Sequence, residues 1–137
     1  MNVAISTAVV AAIRAHAAQA HPLEACGLLF GEAGRIASAQ PCRNVAADPR
    51  RRFEIDPAAL LAAHRAARGG GAQLIGWYHS HPTGLADPSP EDARQAAADG
   101  ALWVIVAGTT LRAWRAGENG ARHGRFDPVA LRVEDAG

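Results

Sequence analysis

The sequence contains no lysine: all fourteen of its basic residues are arginine. Set against thirteen acids, they leave a formal net charge of +1. No basic field exists to grip a nucleic-acid backbone, and no acidic run to attract a basic partner. Cysteine is almost missing, with only Cys26 and Cys42. That excludes a disulfide-rich secreted scaffold and points to a reducing cytoplasm. No apolar run approaches the ~18 residues a membrane-spanning helix needs. The N-terminus also lacks the basic segment and apolar core of a signal peptide. Internal repeats, linkers and low-complexity stretches are missing too.

What remains is a chain of 137 residues, 49% hydrophobic and 20% charged. That balance suits a folded globular protein, and the length suits a single domain over 1–137. Ser6 is a plausible N-cap for a helix over 6–20, which His21-Pro22 stops. The apolar run 25–31 reads as a buried strand. Glu32-Ala33-Gly34 turns it into a returning strand over 35–45, followed by a polar loop and a short strand, Phe53-Glu54-Ile55. Asp56-Pro57 opens a second helix that ends at Gly69. Residues 73–79 form a central strand, 80–88 a loop, 89–99 a third helix and 102–107 another buried strand. Strands over 110–116 and within 121–134 complete the chain. The order predicts an α/β fold with a mixed sheet and helices packed on its faces.

The sharpest local signal is His79-Ser80-His81, followed by Pro82 and then by Ser89 and Asp92. Alternation on a strand puts His79 and His81 on one side. Positions 89 and 92 are neighbours at a helix start. A tight loop could bring Asp92 to both imidazoles. Two histidines and a carboxylate leave a fourth tetrahedral position open, as in catalytic zinc sites. Each piece also has a plainer reading. Ser-Pro-Glu-Asp is a good helix N-terminus in its own right, and Glu24 alone would pass for an exposed loop acid.

Taken together, Glu24, His79-Ser80-His81, seven intervening residues, Ser89, two more and Asp92 resemble the signature of the JAMM (MPN+, Mov34/PAD-1) zinc metalloproteases. The flanks Glu-Ala-Cys-Gly-Leu-Leu-Phe-Gly and Gly-Trp-Tyr-His-Ser-His-Pro agree, and the resemblance runs from about residue 5 to about 115. The chain is similar to a short bacterial member, whose fold is cytidine-deaminase-like. The resemblance implies one Zn²⁺ per chain on His79, His81 and Asp92. It implies Glu24 as general base and acid, and Ser89 as donor to the oxyanion. It further implies hydrolysis after the C-terminal Gly-Gly of a ubiquitin-like or sulfur-carrier-like protein. Two other readings are a metal-free MPN-type binding scaffold and a deubiquitinase-like part of a bacterial conjugation system. A metallo-β-lactamase pattern fails at Thr83 and Gly84, and a zinc deaminase would need a Pro-Cys-x-x-Cys.

Arg50-Arg51-Arg52 reads as a solvated loop that could meet a polar or acidic substrate surface. Trp77, Trp103 and Trp114 read as core or sheet-face residues, and Tyr78 as pointing away from the metal side. His16, His21, His64 and His123 lack partner spacing and are read as non-ligands. If the hairpin turns about Gly34, Cys26 and Cys42 face each other within disulfide reach. A two-residue turn or a bulge would shift the register by one and put them on opposite faces. They are expected to be thiols that serve packing and do not bind zinc.

Overall fold

The computed structural model describes residues 2–135. The elements are β1 (Asn2–Ser6), α1 (Thr7–Ala20), β2 (Cys26–Glu32), β3 (Arg35–Cys42), α2 (Pro57–Arg68), β4 (Leu74–Ser80), α3 (Pro90–Gln95), β5 (Leu102–Ala107), β6 (Thr110–Gly120) and β7 (Gly124–Glu134). The strands form one mixed sheet in the order β1-β3-β2-β4-β5-β6-β7, which closes on itself. The expected α/β architecture is present, and β1 is the element that closes it. It runs parallel to both β3 and β7. Among the described residues, no helix is long and apolar enough to cross a membrane.

Side-chain alternation on the strands builds two cores, one on each face of the sheet. On β5, Leu102, Val104 and Val106 join the first core with Val10 and Ile13 of α1. Trp103 and Ile105 join the second, where Ala63 of α2 packs. Tyr78 and His79 are consecutive on β4 and divide in the same way. The Tyr78 ring sits in the first core, and the His79 ring stacks against residues of the second.

Three expectations need correction. Residues 2–6 are a strand that precedes the helix, and Ser6 is indeed the cap, accepting from the Val9 N–H at 3.1 Å. Phe53-Glu54-Ile55 is not a ladder strand. Only the isolated bridge between Asn44 and Ile55 forms, although the alternation is real: Phe53 and Ile55 are buried and Glu54 is exposed. The third helix stops at Gln95. Ala96 turns extended and enters the second core, so packing overrides the helix propensity of Ala96-Ala97-Ala98.

The β2–β3 hairpin turns through two residues, Ala33 and Gly34, pairing Glu32 with Arg35. A bulge between Gly31 and Phe30 then slips the register by one residue. A Cβ on Gly31 would lie 2.1 Å from the Arg35 carbonyl oxygen, so the bulge needs glycine there. Either shift alone would separate the cysteines; together they cancel, and Cys26 pairs with Cys42. Both thiols are free.

Candidate metal centre

The antiparallel β2–β4 register pairs Cys26 with His79. Continuing it by two residues sets Glu24 across from His81. Ala25 is held between them: its N–H donates to Ser80 Oγ at 2.8 Å, and its carbonyl accepts from the Ser80 N–H at 3.0 Å. The sheet thus delivers Glu24, His79 and His81 to the same end of neighbouring strands.

Asp92 reaches them from α3 through a capping box. Its N–H donates to Ser89 Oγ at 3.0 Å, and its Oδ2 accepts the Ser89 N–H at 3.0 Å. The proline at the first helical position and the acids of the first turn suit this start. The plain reading of Ser-Pro-Glu-Asp as a helix start is realised, and the same cap aims the Asp92 carboxylate at the two imidazoles.

His79 Nε2 lies 3.1 Å from His81 Nε2 and 3.1 Å from Asp92 Oδ1, and His81 Nε2 lies 3.1 Å from Asp92 Oδ2. Tetrahedral ligands held ~2.0–2.1 Å from an ion stand about 3.3–3.4 Å apart, so each of these contacts, two of them to different oxygens of Asp92, is close to the spacing zinc requires. The chemistry of the cluster fits as well. His81 Nδ1 is 2.7 Å from the Leu85 carbonyl, which can only accept. In the neutral ring the proton therefore sits on Nδ1 and the Nε2 lone pair faces inward. Acceptor atoms this close repel one another unless a cation or a proton lies between them.

The ionisation states follow from the surroundings. Burial holds His79 below its ordinary value, toward the neutral ligand form, against the pull of Asp92. Burial would lower His81 too, but hydrogen bonds to Asp92 and Leu85 raise it overall. For Asp92, burial is outweighed by its polar contacts, with His79 first and then His81 and the Ser89 N–H. It stays far below the usual carboxylate range. Glu24 goes the other way, pushed up to about 8 by burial first and then by Asp92 and Asp48, with His81 opposing. Its Oε1 is buried and has no hydrogen-bond partner among the described residues.

A family model for prokaryotic homologs of the JAB domain matches residues 6–117. This chain belongs to that family. The JAB domain here is 37% identical over 86 residues to a desampylase of Haloferax volcanii, covering 61% of this chain and 62% of that protein. It is 40% identical over 83 residues to a Thermus thermophilus protein named a probable TtuB-protein conjugate cleaving protease, covering 61% of this chain and 55% of that one. The matches thus span little more than half the length of these relatives. A solution structure from Desulfitobacterium hafniense superposes with a TM-score of 0.83 at 26% identity, covering 98% of this chain and 94% of that one.

Several residues that serve this JAB site carry no obvious motif. Phe53 stacks on the His79 ring with centroids 4.2 Å apart and planes at 19°, and Trp103 meets the same ring edge-on at 5.7 Å. Packing thus orients His79, whose Nδ1 has no hydrogen-bond partner among the described residues. The loop that supplies the Leu85 carbonyl is held by β6. Trp114 Nε1 donates to Ala86 O at 3.1 Å, and Arg112 pairs with Asp87 at 2.6 Å. Trp103 and Trp114 are core residues, as read from the sequence, but each also serves the site. His16 is not at the centre; its Nδ1 is 2.7 Å from Tyr78 Oη, behind the sheet. Arg52 is less free than the solvated reading implies, because it pairs with Glu91 at 3.4 Å beside Asp92.

Proposed function

We propose that this JAB domain is a zinc-dependent isopeptidase or peptidase. It cleaves after the C-terminal Gly-Gly of a ubiquitin-like or sulfur-carrier-like protein in a reducing cytoplasm. The observation that carries this reading is the cluster of His79, His81 and Asp92, in mutual contact at 3.1 Å, beside the buried Glu24. The substrate class is supported by the names of the Haloferax and Thermus relatives.

His79, His81 and Asp92 would hold the zinc. Bound there, a zinc ion supplies Lewis acidity that polarises the scissile carbonyl and brings the pKa of a water to about 7. Glu24 accepts the proton of the attacking water and returns it to the departing amine. A cation beside Glu24 lowers its raised pKa toward the range of a working base. Ser89 uses its oxygen to accept from the Asp92 N–H. Its own hydrogen is then free to donate to the developing oxyanion. A Gly-Gly tail suits a confined approach because neither residue carries a side chain.

Purified protein is expected to carry about one zinc per chain, and His79→Ala or Asp92→Ala to lose it. Glu24→Gln should keep the metal yet lose cleavage of a ubiquitin-like protein fused through Gly-Gly to a second protein. An amide cannot accept the proton. Wild-type cleavage by Glu24→Gln would sink the mechanism. A wild-type protein that takes up no zinc would be a metal-free binding module.

A further inference from the structure

We infer that Asn44 is a positioning residue for Glu24, acting through the strap of residues 44–55 that lies over the site; this rests on the reading of Glu24 as the proton-accepting group. Glu24 lies just before β2, outside the β2–β4 ladder. Its two backbone polar groups are taken by the strap. The Glu24 N–H donates to the Pro49 carbonyl at 2.7 Å, and the Glu24 carbonyl accepts from Asn44 Nδ2 at 3.1 Å. Asn44 also ties the strap to itself. Nδ2 reaches the Arg52 carbonyl at 3.0 Å and the Pro49 carbonyl at 3.4 Å. Oδ1 accepts from the N–H groups of Ala46 at 3.0 Å and Glu54 at 3.1 Å. One amide thus joins both sides of the strap to the backbone of Glu24.

The far side of the strap ends at the metal centre. Phe53 lies next to the Glu54 that Asn44 holds, and its ring stacks on His79. Phe53 and Ile55 are both buried in the second core, which anchors the strap from below. Asn44 therefore fixes the backbone that carries Glu24 and the ring that covers His79 at the same time. A carboxylate must sit within hydrogen-bond reach of the water it deprotonates, and a shift of about 1 Å can cost on the order of 10²-fold in rate. Asparagine suits this place because it donates twice and accepts twice from one rigid amide plane. Aspartate can keep the two accepted bonds, but it has no N–H to donate to the carbonyls of Glu24, Pro49 and Arg52.

Hydrogen exchange on the wild-type protein tests the linkage directly. The amides of Glu24, Ala46 and Glu54 are expected to open together with one protection factor, below that of Leu28 in the ladder. A Glu24 amide that exchanges with Leu28, and separately from Ala46 and Glu54, overturns the proposal. In Asn44→Asp, the Glu24 amide should exchange about tenfold faster or more while zinc content is unchanged. Cleavage should then lose about 10- to 100-fold in kcat, with KM within about threefold. Ile13→Val in the opposite core is the control for stability alone and should leave kcat unchanged. Unchanged Glu24 exchange and kcat in Asn44→Asp would refute the role, as would an Ile13→Val that loses kcat as much for the same fall in Tm. If the wild type fails to cleave, the catalytic reading of Glu24 falls, while the exchange measurement still decides what Asn44 holds.

Discussion

At the scale of single residues, Glu24 gives the metal-free protein a pH dependence between the acid and neutral ranges. Folding raises its pKa from 4.5 to about 8. The folded state therefore keeps a proton that the unfolded chain releases. The stability this contributes is complete below pH 4.5 and is lost as pH rises toward 8. In chelator, Glu24→Gln should gain on the wild type steadily between these limits, because glutamine does not titrate. Thermal unfolding of both proteins across pH 5 to 8 checks this, and a constant gap in Tm would refute it. The five residues of the motif were legible because they recur as one spaced pattern along the chain, and the fold brings His79, His81 and Asp92 of that pattern together. Asn44 was not. Its partners are main-chain atoms up to twenty positions away, and a lone asparagine before a polar loop looks like any turn residue.

At the scale of elements, strand β4 carries His79 and leads directly into His81, and its fit against β5 is tight. A Cβ on Gly76 would lie 1.9 Å from the Leu102 carbonyl oxygen, a backbone atom that cannot swing away. Gly76→Ala should therefore push β4 off β5. The expected costs are about 1–3 kcal/mol of stability and weaker zinc affinity, both measurable by denaturant titration and metal competition. An unchanged midpoint and affinity would show that the strands can part at no cost. The sequence was readable here where one signal dominated: the caps Ser6, Asp56 and Ser89 all sit where their residue types placed them. It was silent on β1, whose five residues pair with strands about thirty and about 130 positions away, a relation that local periodicity cannot express. The hairpin register was right for a reason the sequence did not reveal, since the turn and the bulge each moved it and the two shifts offset.

At the scale of the whole molecule, the two cores divide the labour. The second core and the strap shape the candidate metal centre, while the first core, with β1 and α1, closes the sheet behind it. Ile5→Ala should cost about 2–5 kcal/mol, because the side chain is fully buried in the first core. Zinc content should be unaffected; loss of metal in a still-folded variant would mean the cores are not separable. This partition also gives the chain a built-in reporter. Tyr78 is its only tyrosine, peptide-bonded to His79 yet turned into the opposite core, with its hydroxyl against His16. Burial raises the phenol well above its ordinary value, so it stays un-ionised across the working range of the protein. A single isotope- or fluorine-labelled tyrosine would therefore give one resonance needing no assignment, one residue from the proposed ligand His79 and on the other face of the sheet. Any movement of that signal when the ion arrives would measure how far the strand itself shifts to receive it.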